Sequence, residues 1–358
     1  MSETLLVTGA FGLVGCAMVK RLAADGRRVI ATGRMSPANR KAAQRLPAGV
    51  DLRWADLTDS ADIDRLVREV APTAIIHLAA AIPPGIYRDA KFARKVNVDG
   101  TAALARAAES LPNPPRFVHA SSSAVYGAPN PHRFPGLCRA DTPPAPCDLY
   151  GGHKLEAEEV VRSSRLDWAV LRLGGVFTVD PAEEHFDADI VFFGSALPMD
   201  GRVHAIDVRD VAAAFAAATT ANVVGETLLV AGDKSHLLTN YDTVEDPAAA
   251  RGLRGLVAAV GGRPGDPDSD DDWFINCWMD VTRAQEALSF QHHSWPDMLA
   301  EMRAIAGWRR YATRLAAPLA RTMIKRQSAY RDRPGRYADP WATLRMRYGE
   351  PRPDTLRS

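Results

Sequence analysis

The sequence has few cysteines and no apolar run that could span a membrane. Its four cysteines in 358 residues include no CxxC pair and no metal-ligand spacing. This excludes a disulfide framework and predicts reduced thiols and no metal site. The charge-free stretch from Val70 to Tyr87 contains three prolines and a glycine, so it cannot form a spanning helix. The first residues lack the basic segment of a signal peptide. Together these absences predict a soluble, cytoplasmic protein.

Acidic side chains outnumber basic ones in most of the chain, and the excess of basic side chains lies in the last 56 residues. The net charge is only +1, but the 56 residues from Arg303 onward carry 14 Lys and Arg against 4 Asp and Glu. Residues 1–302 are left with 30 basic and 39 acidic side chains. Such an acidic body argues against nucleic-acid binding. With 46% apolar and 24% charged residues, the chain otherwise has the composition of a globular protein with a real core.

Short apolar segments alternate with helix-like segments over the first 175 residues. The strand-like segments, rich in Val, Ile and Leu, are 4–8, 28–32, 50–54, 74–78, 116–120 and 168–173, and the helix-like ones are 13–25, 60–70, 93–110 and 150–164. This alternation predicts an α/β fold with a doubly wound parallel sheet. Beyond it, a predicted helix at 208–220 and a strand at 227–230 indicate a smaller lobe added to the sheet.

A glycine-rich turn follows the first predicted strand and opens the first predicted helix. Gly9 permits a tight turn, Gly12 lets the backbone approach a pyrophosphate, and Gly15 lets the helix pack closely on the sheet. The helix N-terminus then offers free N–H groups and a partial positive charge to phosphates. This loop, which also contains Phe11 and Leu13, predicts a dinucleotide-binding site.

The end of the second strand bears on which dinucleotide binds. NAD-binding loops carry an acidic residue there, which binds the ribose 2′-hydroxyl, whereas this chain has Gly33 followed by Arg34. A carboxylate repels a 2′-phosphate, and an arginine pairs with it. We therefore favour NADP(H), with Arg34 as its contact, and keep NAD(H) as the alternative.

Two further strand ends predict cofactor contacts. Asp56 and Leu57 follow the third strand, where a carboxylate can accept a hydrogen bond from the exocyclic amine of adenine. Leu78, Ala79 and Ala80 end the fourth strand. The alanines are small enough for a chain that passes under a cofactor.

Tyr150 and Lys154 are four residues apart and share one face of a predicted helix. A nearby ammonium favours the phenolate and lowers the pKa of a tyrosine toward neutrality. Such a tyrosine can give a proton to a carbonyl oxygen or take one from an alcohol. Upstream, the serines 121–123 follow the fifth strand, at the carboxyl edge of the sheet where doubly wound proteins bind ligands. The pattern predicts an acid–base site at that edge.

Ten short motifs run in a fixed order along residues 4–305. They are TGAFGLVG at 8–15, ADL at 55–57, HLAA at 77–80, NVDGT at 97–101, SSSAVYG at 121–127, YGGHK at 150–154, LRLGGVF at 171–177, IDVRDVA at 206–212, GETLLVAGD at 225–233 and DVTRAQEALSF at 280–290. In these motifs the sequence resembles the extended short-chain dehydrogenase/reductase family, also called the NAD-dependent epimerase/dehydratase family.

The resemblance implies roles for individual residues. Tyr150 would be the general acid/base, and Lys154 would contact the ribose and modulate the tyrosine. Ser122 would hydrogen-bond the substrate oxygen, Ser123 would face the substrate, and Asn97 would help to hold the geometry of the site. Members of the family often pair through helices corresponding to 93–110 and 150–164, so a homodimer is expected.

Departures from the family's pattern bear on the substrate. Sugar-nucleotide members usually carry an Asn where this chain has Gly175, and residues 190–193, which include Phe192, form an apolar wall in place of a polar diphosphate clamp. The Asp/Glu pair of the dehydratases is replaced by Ser123 and Ala124. We therefore expect an oxidoreductase that interconverts a secondary alcohol and a ketone on a fairly apolar small molecule. A nucleotide-sugar epimerase or reductase is the alternative, and a non-catalytic cofactor-binding scaffold is a second one.

These observations divide the chain into three expected parts. Residues 1–175 are the nucleotide-binding domain with the Ser-Tyr-Lys site, 176–305 a substrate-binding lobe interleaved with the last sheet elements, and 306–358 a basic helical or extended tail. Apolar residues recur at helical spacing between Pro296 and Gln327, with arginines between them and a predicted break or kink at Pro318. This amphipathic segment can lie on an anionic membrane, but docking on the acidic body is favoured. From Ala329 onward we expect an extended or partly disordered arm.

Overall fold

The chain folds around a seven-stranded parallel sheet, seen in a computed structural model that describes residues 3–184 and 187–353. Within those residues there are ten strands: β1 (Leu5–Thr8), β2 (Val29–Gly33), β3 (Asp51–Trp54), β4 (Ala74–His77), β5 (Arg116–Ser122), β6 (Trp168–Leu173), β7 (Gly175–Phe177), β8 (Arg202–Asp207), β9 (Glu226–Val230) and β10 (Leu237–Thr239). The main sheet has the order β3-β2-β1-β4-β5-β6-β9. The predicted doubly wound sheet is confirmed.

Helices cover both faces of this sheet. The described residues contain α1 (Leu13–Ala24), α2 (Pro37–Ala43), α3 (Ser60–Val70), α4 (Ala90–Arg94), α5 (Gly100–Glu109), α6 (Leu149–Arg162), α7 (Ala188–Ala196), α8 (Val208–Ala218), α9 (Asn240–Ala250), α10 (Leu256–Ala259), α11 (Thr282–Leu288), α12 (Trp295–Ala306), α13 (Arg309–Lys325) and α14 (Pro340–Tyr348). The predicted strands and helices up to residue 230 are present within three residues of their expected ends, except that the helix predicted over 93–110 is divided into α4, a turn of π-helix over 95–99 and α5. Helix α2 was not predicted; the Ser36 hydroxyl caps its first turn.

Successive residues of β1 pack on opposite faces of the sheet, as the two-residue period of a strand requires. Leu5 and Val7 belong to one core cluster, together with residues of α1 and α8. Leu6 belongs to the other, with residues of α3 and α5. Because both faces are covered, every residue of β1 is buried, which explains the uninterrupted apolar sequence.

A small second sheet lies beyond the main one. Strands β7 and β8 pair in parallel, and β8 pairs antiparallel with β10. A Cβ at Gly175 would stand 2.9 Å from the Cγ1 of Val203, so β7 can lie this close to β8 only with a glycine at that position. Strands β8 and β10 of this sheet lie within residues 176–305, the part of the chain expected to form the substrate-binding lobe.

Residues 340–348 form helix α14, so the expected extended arm is wrong there. Trp341, Leu344 and Tyr348 of that helix are buried in a cluster with Phe192 of α7 and with Phe274. The local sequence has too little periodicity to predict a helix of nine residues. Its stability comes from tertiary contacts with segments that are distant in sequence.

Helix α13 is continuous through Pro318, so the predicted break is absent. A proline removes one helical hydrogen bond and leaves the carbonyl of residue 314 without its partner. Because Arg314 and Pro318 are exposed, water can donate a hydrogen bond to that carbonyl oxygen. Among the described residues, no helix is long and apolar enough to cross a bilayer.

Candidate active site

A cleft of about 640 Å³ opens at the carboxyl ends of the central strands, the edge at which doubly wound sheets bind ligands. Thirteen of the residues predicted from the sequence line it: Gly9, Phe11, Gly12, Leu13, Arg34, Asp56, Leu57, Leu78, Ala79, Ala80, Ser122, Tyr150 and Lys154. Asn97, Ser123, Gly175 and Phe192 do not. The fold thus brings the glycine turn, the ends of β2, β3, β4 and β5 and the start of α6 into one cavity.

The glycine turn between β1 and α1 has no room for side chains at its two ends. Gly9 has a φ of +67°, and a Cβ there would lie 2.7 Å from the backbone nitrogen of Ala79. A Cβ at Gly15 would lie 2.1 Å from the carbonyl oxygen of Gly9. A Cβ at Gly12 would meet only the Gly9 carbonyl, at 3.6 Å, so this backbone faces open space in the cleft. That arrangement suits a pyrophosphate lying against the N-terminus of α1.

Arg34 lies at the rim of the cleft, where the adenosine end of a dinucleotide is expected. It is exposed, and its guanidinium lies 5.4 Å from the ring centroid of Phe92. Phe11 stacks on Trp54 with their centroids 4.8 Å apart. A Cβ at Gly33 would stand 3.0 Å from the ring of Phe11, so a larger residue there would have to displace that ring. Within residues 3–184 and 187–353, no carboxylate pairs with Arg34, which leaves its charge available to a ligand.

Asn97 does not line the cleft itself but hydrogen-bonds a backbone segment that does. Its side-chain carbonyl accepts a hydrogen bond from the Ala81 N–H at 2.7 Å, and its amide donates to the Ala81 carbonyl at 2.9 Å. It lies in a turn of π-helix over 95–99, between α4 and α5. Asn97 therefore positions the chain that follows β4, and Ala81 itself lines the cleft.

Two histidines beneath the cleft are core residues. The ring nitrogens of His77 contact the hydroxyls of Thr8, at 2.7 Å, and Thr101, at 2.9 Å. His119 stacks on His77 with the ring centroids 5.4 Å apart. Burial, with a smaller contribution from the Lys154 charge, lowers the pKa of His77 to about 3, so this ring stays neutral.

Helix α6 carries Tyr150 and Lys154 into the cleft. Its N-cap is Asp148, whose carboxylate accepts a hydrogen bond from the Gly151 N–H at 2.8 Å. Ser122, at the end of β5, shares a hydrogen bond with the Tyr150 hydroxyl. Lys154 donates from Nζ to the Ala120 carbonyl at 2.6 Å. Strand β5 therefore holds both functional side chains of the helix.

The ionisation of the tyrosine differs from the sequence expectation. Burial raises the pKa of Tyr150 above its ordinary value, the Asp148 charge raises it further, and the Ser122 hydrogen bond opposes both. The Lys154 ammonium stands 5.8 Å from the ring centroid and is held by Ala120. Burial also lowers the pKa of Lys154 to about 8. In the chain alone, desolvation thus outweighs the expected lowering by the lysine.

A buried ion network lies one helical turn below Lys154. Glu158 is fully buried and forms two hydrogen bonds with Arg172 of β6, at 2.9 and 2.8 Å. Arg162 donates to the same carboxylate at 2.6 Å, and Ser121 donates at 2.5 Å. The Glu158 charge raises the pKa of Lys154 against its burial. This network therefore joins α6 to the sheet and supports the charge of the lysine.

Three residues expected to face the substrate lie elsewhere. Ser123 hydrogen-bonds Cys277 behind the turn that follows β5. Gly175 packs on β8, and its neighbour Gly174 lines the cleft instead. Phe192 is buried against α14, because a helix turns successive side chains by about 100°.

The sequence reasoning missed several residues of the cleft and its support. Phe274 and Ile275 line the cleft together with Phe193 of the expected apolar wall. Tyr87 donates a hydrogen bond to Asp148 at 2.6 Å and so braces the cap of α6. Asp148 could have been found as a capping residue just before the YxxxK pattern. Phe274, Ile275 and Tyr87 offered no local signal.

The residues present fit a nicotinamide dinucleotide. The backbone at Gly12 is open to the cleft, the alanines after β4 leave a flat floor, and Arg34 offers a free positive charge at the rim. A doubly wound sheet with a glycine turn at the start of its first helix is the architecture of dinucleotide-binding proteins. The profile of the NAD dependent epimerase/dehydratase family matches residues 5–231, more than half of the chain. The protein belongs to this family, as the motifs had indicated, and is an enzyme of that kind.

Several curated relatives are named as enzymes of nucleotide-linked sugars, and others as methionine adenosyltransferase 2 subunit beta. UDP-glucose 4-epimerase of Mycolicibacterium smegmatis is 30% identical over 311 residues, which cover 80% of this chain and 92% of the relative. The dTDP-L-rhamnose 4-epimerase of Burkholderia thailandensis is 32% identical over 211 residues, 49% of this chain, and the match spans only 58% of that relative. Among solved structures, a Thermus thermophilus UDP-glucose 4-epimerase in complex with NAD has a TM-score of 0.66 at 22% identity, covering 85% of this chain and 99% of that one. The structural likeness shows the fold.

Proposed function

We propose that the protein interconverts a secondary alcohol and a ketone with a nicotinamide nucleotide, and that Tyr150 moves the proton. The observation that carries the proposal is that Ser122, Tyr150 and Lys154 line one cleft, with Ser122 near enough to Tyr150 to lower the pKa of its hydroxyl. Two hydroxyls and an ammonium that meet in one cavity can bind an oxygen and exchange a proton with it.

Each of these side chains has a separate task. Tyr150 gives its phenolic proton to the oxygen of a ketone or takes one from an alcohol. Ser122 orients that oxygen, and Lys154, held by the Ala120 carbonyl, contributes positive charge beside the phenol. Gly9 and Gly12 would hold the pyrophosphate of a nicotinamide nucleotide. That nucleotide would supply the hydride acceptor for an alcohol and the hydride donor for a ketone.

We propose a nucleotide-linked sugar as the substrate and epimerisation at one carbinol carbon as the reaction. The support comes from the relatives, because the mycobacterial UDP-glucose 4-epimerase aligns over 92% of its length. Epimerisation balances without an external oxidant, since the alcohol is oxidised and the ketone is reduced again on its other face. The roles of Ser122, Tyr150 and Lys154 are unchanged.

An apolar alcohol or ketone is the second candidate. The observation in its favour is the lining beyond Tyr150, which consists of Ile82, Pro83, Phe193, Phe274 and Ile275. Within the described residues, the only cations that line the cleft are Arg34, at the adenosine end, and Lys154, beside the tyrosine. A diphosphate in the substrate end would therefore lack an arginine clamp.

One set of measurements separates the two substrates. The full chain is titrated with UDP and with dTDP by calorimetry, and UDP-glucose and dTDP-glucose are then incubated with NAD and analysed by NMR for a new epimer. Binding and epimer formation support the first substrate. No binding, together with reduction of apolar ketones, favours the second.

Tyr150→Phe tests the mechanism for either substrate. Removing the hydroxyl should reduce turnover by about 10²- to 10⁴-fold, the usual contribution of general acid–base catalysis, while NAD or NADPH binding is retained. Turnover equal to that of the natural chain would remove Tyr150 from the mechanism.

We propose that NADP(H) is preferred, because Arg34 is exposed, lines the cleft and follows a glycine rather than an acid. The family is NAD-dependent by name, so the preference needs its own test. Fluorescence titrations with NADPH and NADH should show tighter binding of NADPH. Arg34→Ala should remove that difference, and Arg40→Ala, on the exposed face of α2 outside the cleft, is the matched control. Equal affinities in the natural chain would contradict the preference.

A homodimer through α5 and α6 remains a proposal. The two helices pack side by side, and Glu156 of α6 forms an exposed ion pair with Arg94 at the end of α4. Sedimentation velocity of the full chain measures the state directly, and a monomer at micromolar concentration contradicts the proposal.

A further inference from the structure

Helix α13 presents an apolar stripe to solvent. Trp308, directly before the helix, is followed at intervals of seven, four and four residues by Leu315, Leu319 and Met323, which lie on one face. Their exposed fractions are 74%, 86%, 68% and 59%. On the opposite face, Ala317 is buried against the body of the protein. The stripe is thus an exposed apolar surface on a helix whose other side is already packed.

The segment that carries this stripe is basic. No Asp or Glu stands between Glu301 and Asp332, a segment that contains eight Lys and Arg. In the part of the chain that the structure describes, the seven from Arg303 to Arg326 form no ion pair, whereas Arg283 and Arg345 do. The favoured docking of this segment on the acidic body is therefore not made by ion pairs. The side chains of Arg303, Arg309, Lys325 and Arg326 are exposed, so their charge is available to a partner.

The helix is held in place on the protein. The Arg321 guanidinium donates to the Arg254 carbonyl, and Ile324 packs on Leu256 and Val260 of the neighbouring segment. Beyond the helix, the backbone N–H of Ala329 donates to the Ser195 hydroxyl of α7 at 2.9 Å. The stripe is consequently a fixed surface, so no folding of this segment is needed before it binds.

We propose that α13 binds an anionic lipid surface, with the stripe at the boundary between headgroups and acyl chains. A lipid bilayer is a partner that offers an apolar layer and negative charge side by side, in the order that the helix presents them. Tryptophan suits this boundary because it combines an apolar ring with a polar N–H. Pairing with a second copy through the stripe would bring two acid-free basic segments together, and like charges oppose that contact. The inference does not depend on the substrate.

Vesicle binding by the full chain tests the proposal. Vesicles of phosphatidylcholine alone and with phosphatidylglycerol added are sedimented with the protein at about 0.05 M and about 0.5 M salt, since ionic strength screens charge at the surface. The test variant is Leu315→Asp with Leu319→Asp. The matched control is Phe134→Asp with Leu137→Asp, which changes two exposed apolar residues in a distant loop. Circular dichroism checks that both variants are folded.

We expect the natural chain and the control to bind anionic vesicles at least about tenfold more tightly than neutral ones, and high salt to weaken that binding. The test variant should lose at least about tenfold in affinity for anionic vesicles. Brominated lipids should quench Trp308, which is the only tryptophan in the described residues classed as exposed, and Trp308→Phe should remove that quenching.

Three results overturn the proposal. Absence of binding at low salt excludes a lipid surface and leaves a protein partner for the stripe. Equal binding to neutral and anionic vesicles removes the role of the arginines. A dimer in sedimentation velocity that becomes monomeric in the test variant, without vesicle binding by the natural chain, assigns the stripe to a second copy.

Discussion

Replacing Glu158 by Gln should destabilise the protein strongly while leaving the shape of the site almost unchanged. Glu158 is fully buried, and its partner Arg172 is only 2% exposed. The substitution leaves the arginine charged and without a carboxylate, because a guanidinium does not lose its proton in proteins. Removing one member of a buried pair costs about 3–5 kcal/mol in the free energy of unfolding.

The same helix supplies the matched control. Glu156 pairs with Arg94, and their side chains are 47% and 49% exposed. Exposed pairs contribute about 0–1 kcal/mol, so Glu156→Gln should change stability very little. Urea unfolding of the two variants at pH 7 measures the difference directly. If both variants lie within about 1 kcal/mol of each other, the buried network does not stabilise the fold in the way argued here.

The Glu158 substitution should also change the pH dependence of activity. The Glu158 charge raises the pKa of Lys154, which burial has lowered to about 8. Without that charge the lysine loses its proton at a lower pH. The alkaline limb of the turnover profile should then move to lower pH in Glu158→Gln and stay in place in Glu156→Gln. An unchanged limb would contradict the electrostatic link between the network and the lysine.

Three further changes have defined outcomes. Burial lowers the pKa of Lys154 from 10.5 to about 8. Between these two pH values the unfolded chain therefore binds more protons than the folded chain, and the free energy of unfolding should rise with pH. Urea unfolding at several pH values should show a smaller rise for Lys154→Met. Tyr87→Phe removes the 2.6 Å hydrogen bond to Asp148, which should lower the free energy of unfolding by about 1 kcal/mol. Turnover should fall more than cofactor affinity. An equal loss of both would contradict a role of Tyr87 in positioning α6. Trp341→Ala empties a buried site of α14 and should cost about 3–5 kcal/mol in thermal or urea unfolding, whereas Trp308→Ala, at an exposed position, should cost much less; similar costs would refute the packing of α14.

The sequence predicted the nucleotide-binding half of the protein well, because the signals there are local. Strand β1, the turn at Gly9 and helix α1 follow one another without a long connection, and Gly15 is required by its contact with the Gly9 carbonyl of the same turn. The spacing of Tyr150 and Lys154 likewise placed both on one face of α6. Motifs of this kind depend on backbone geometry over a few residues, which sequence spacing determines.

The substrate end was predicted poorly, because its residues meet only in the folded chain. Phe274 and Ile275 line the cleft although they lie more than a hundred residues from Tyr150. The neighbours Phe192 and Phe193 were assigned to the same wall, and the rotation of α7 sends one to the core and the other to the cleft. Such choices depend on how a helix is rotated against its neighbours, which the local sequence does not specify.

The family, the parallel sheet, the glycine turn and the three side chains proposed for catalysis could be read from the sequence. Only the folded chain shows that α14 packs on α7 and that Tyr87 braces the cap of α6. The shifts in the pKa of Tyr150 and Lys154 and the exposure of the apolar face of α13 likewise appear only in the fold. Spacing along the chain fixes local geometry, whereas burial, desolvation and exposure depend on which distant segments pack together.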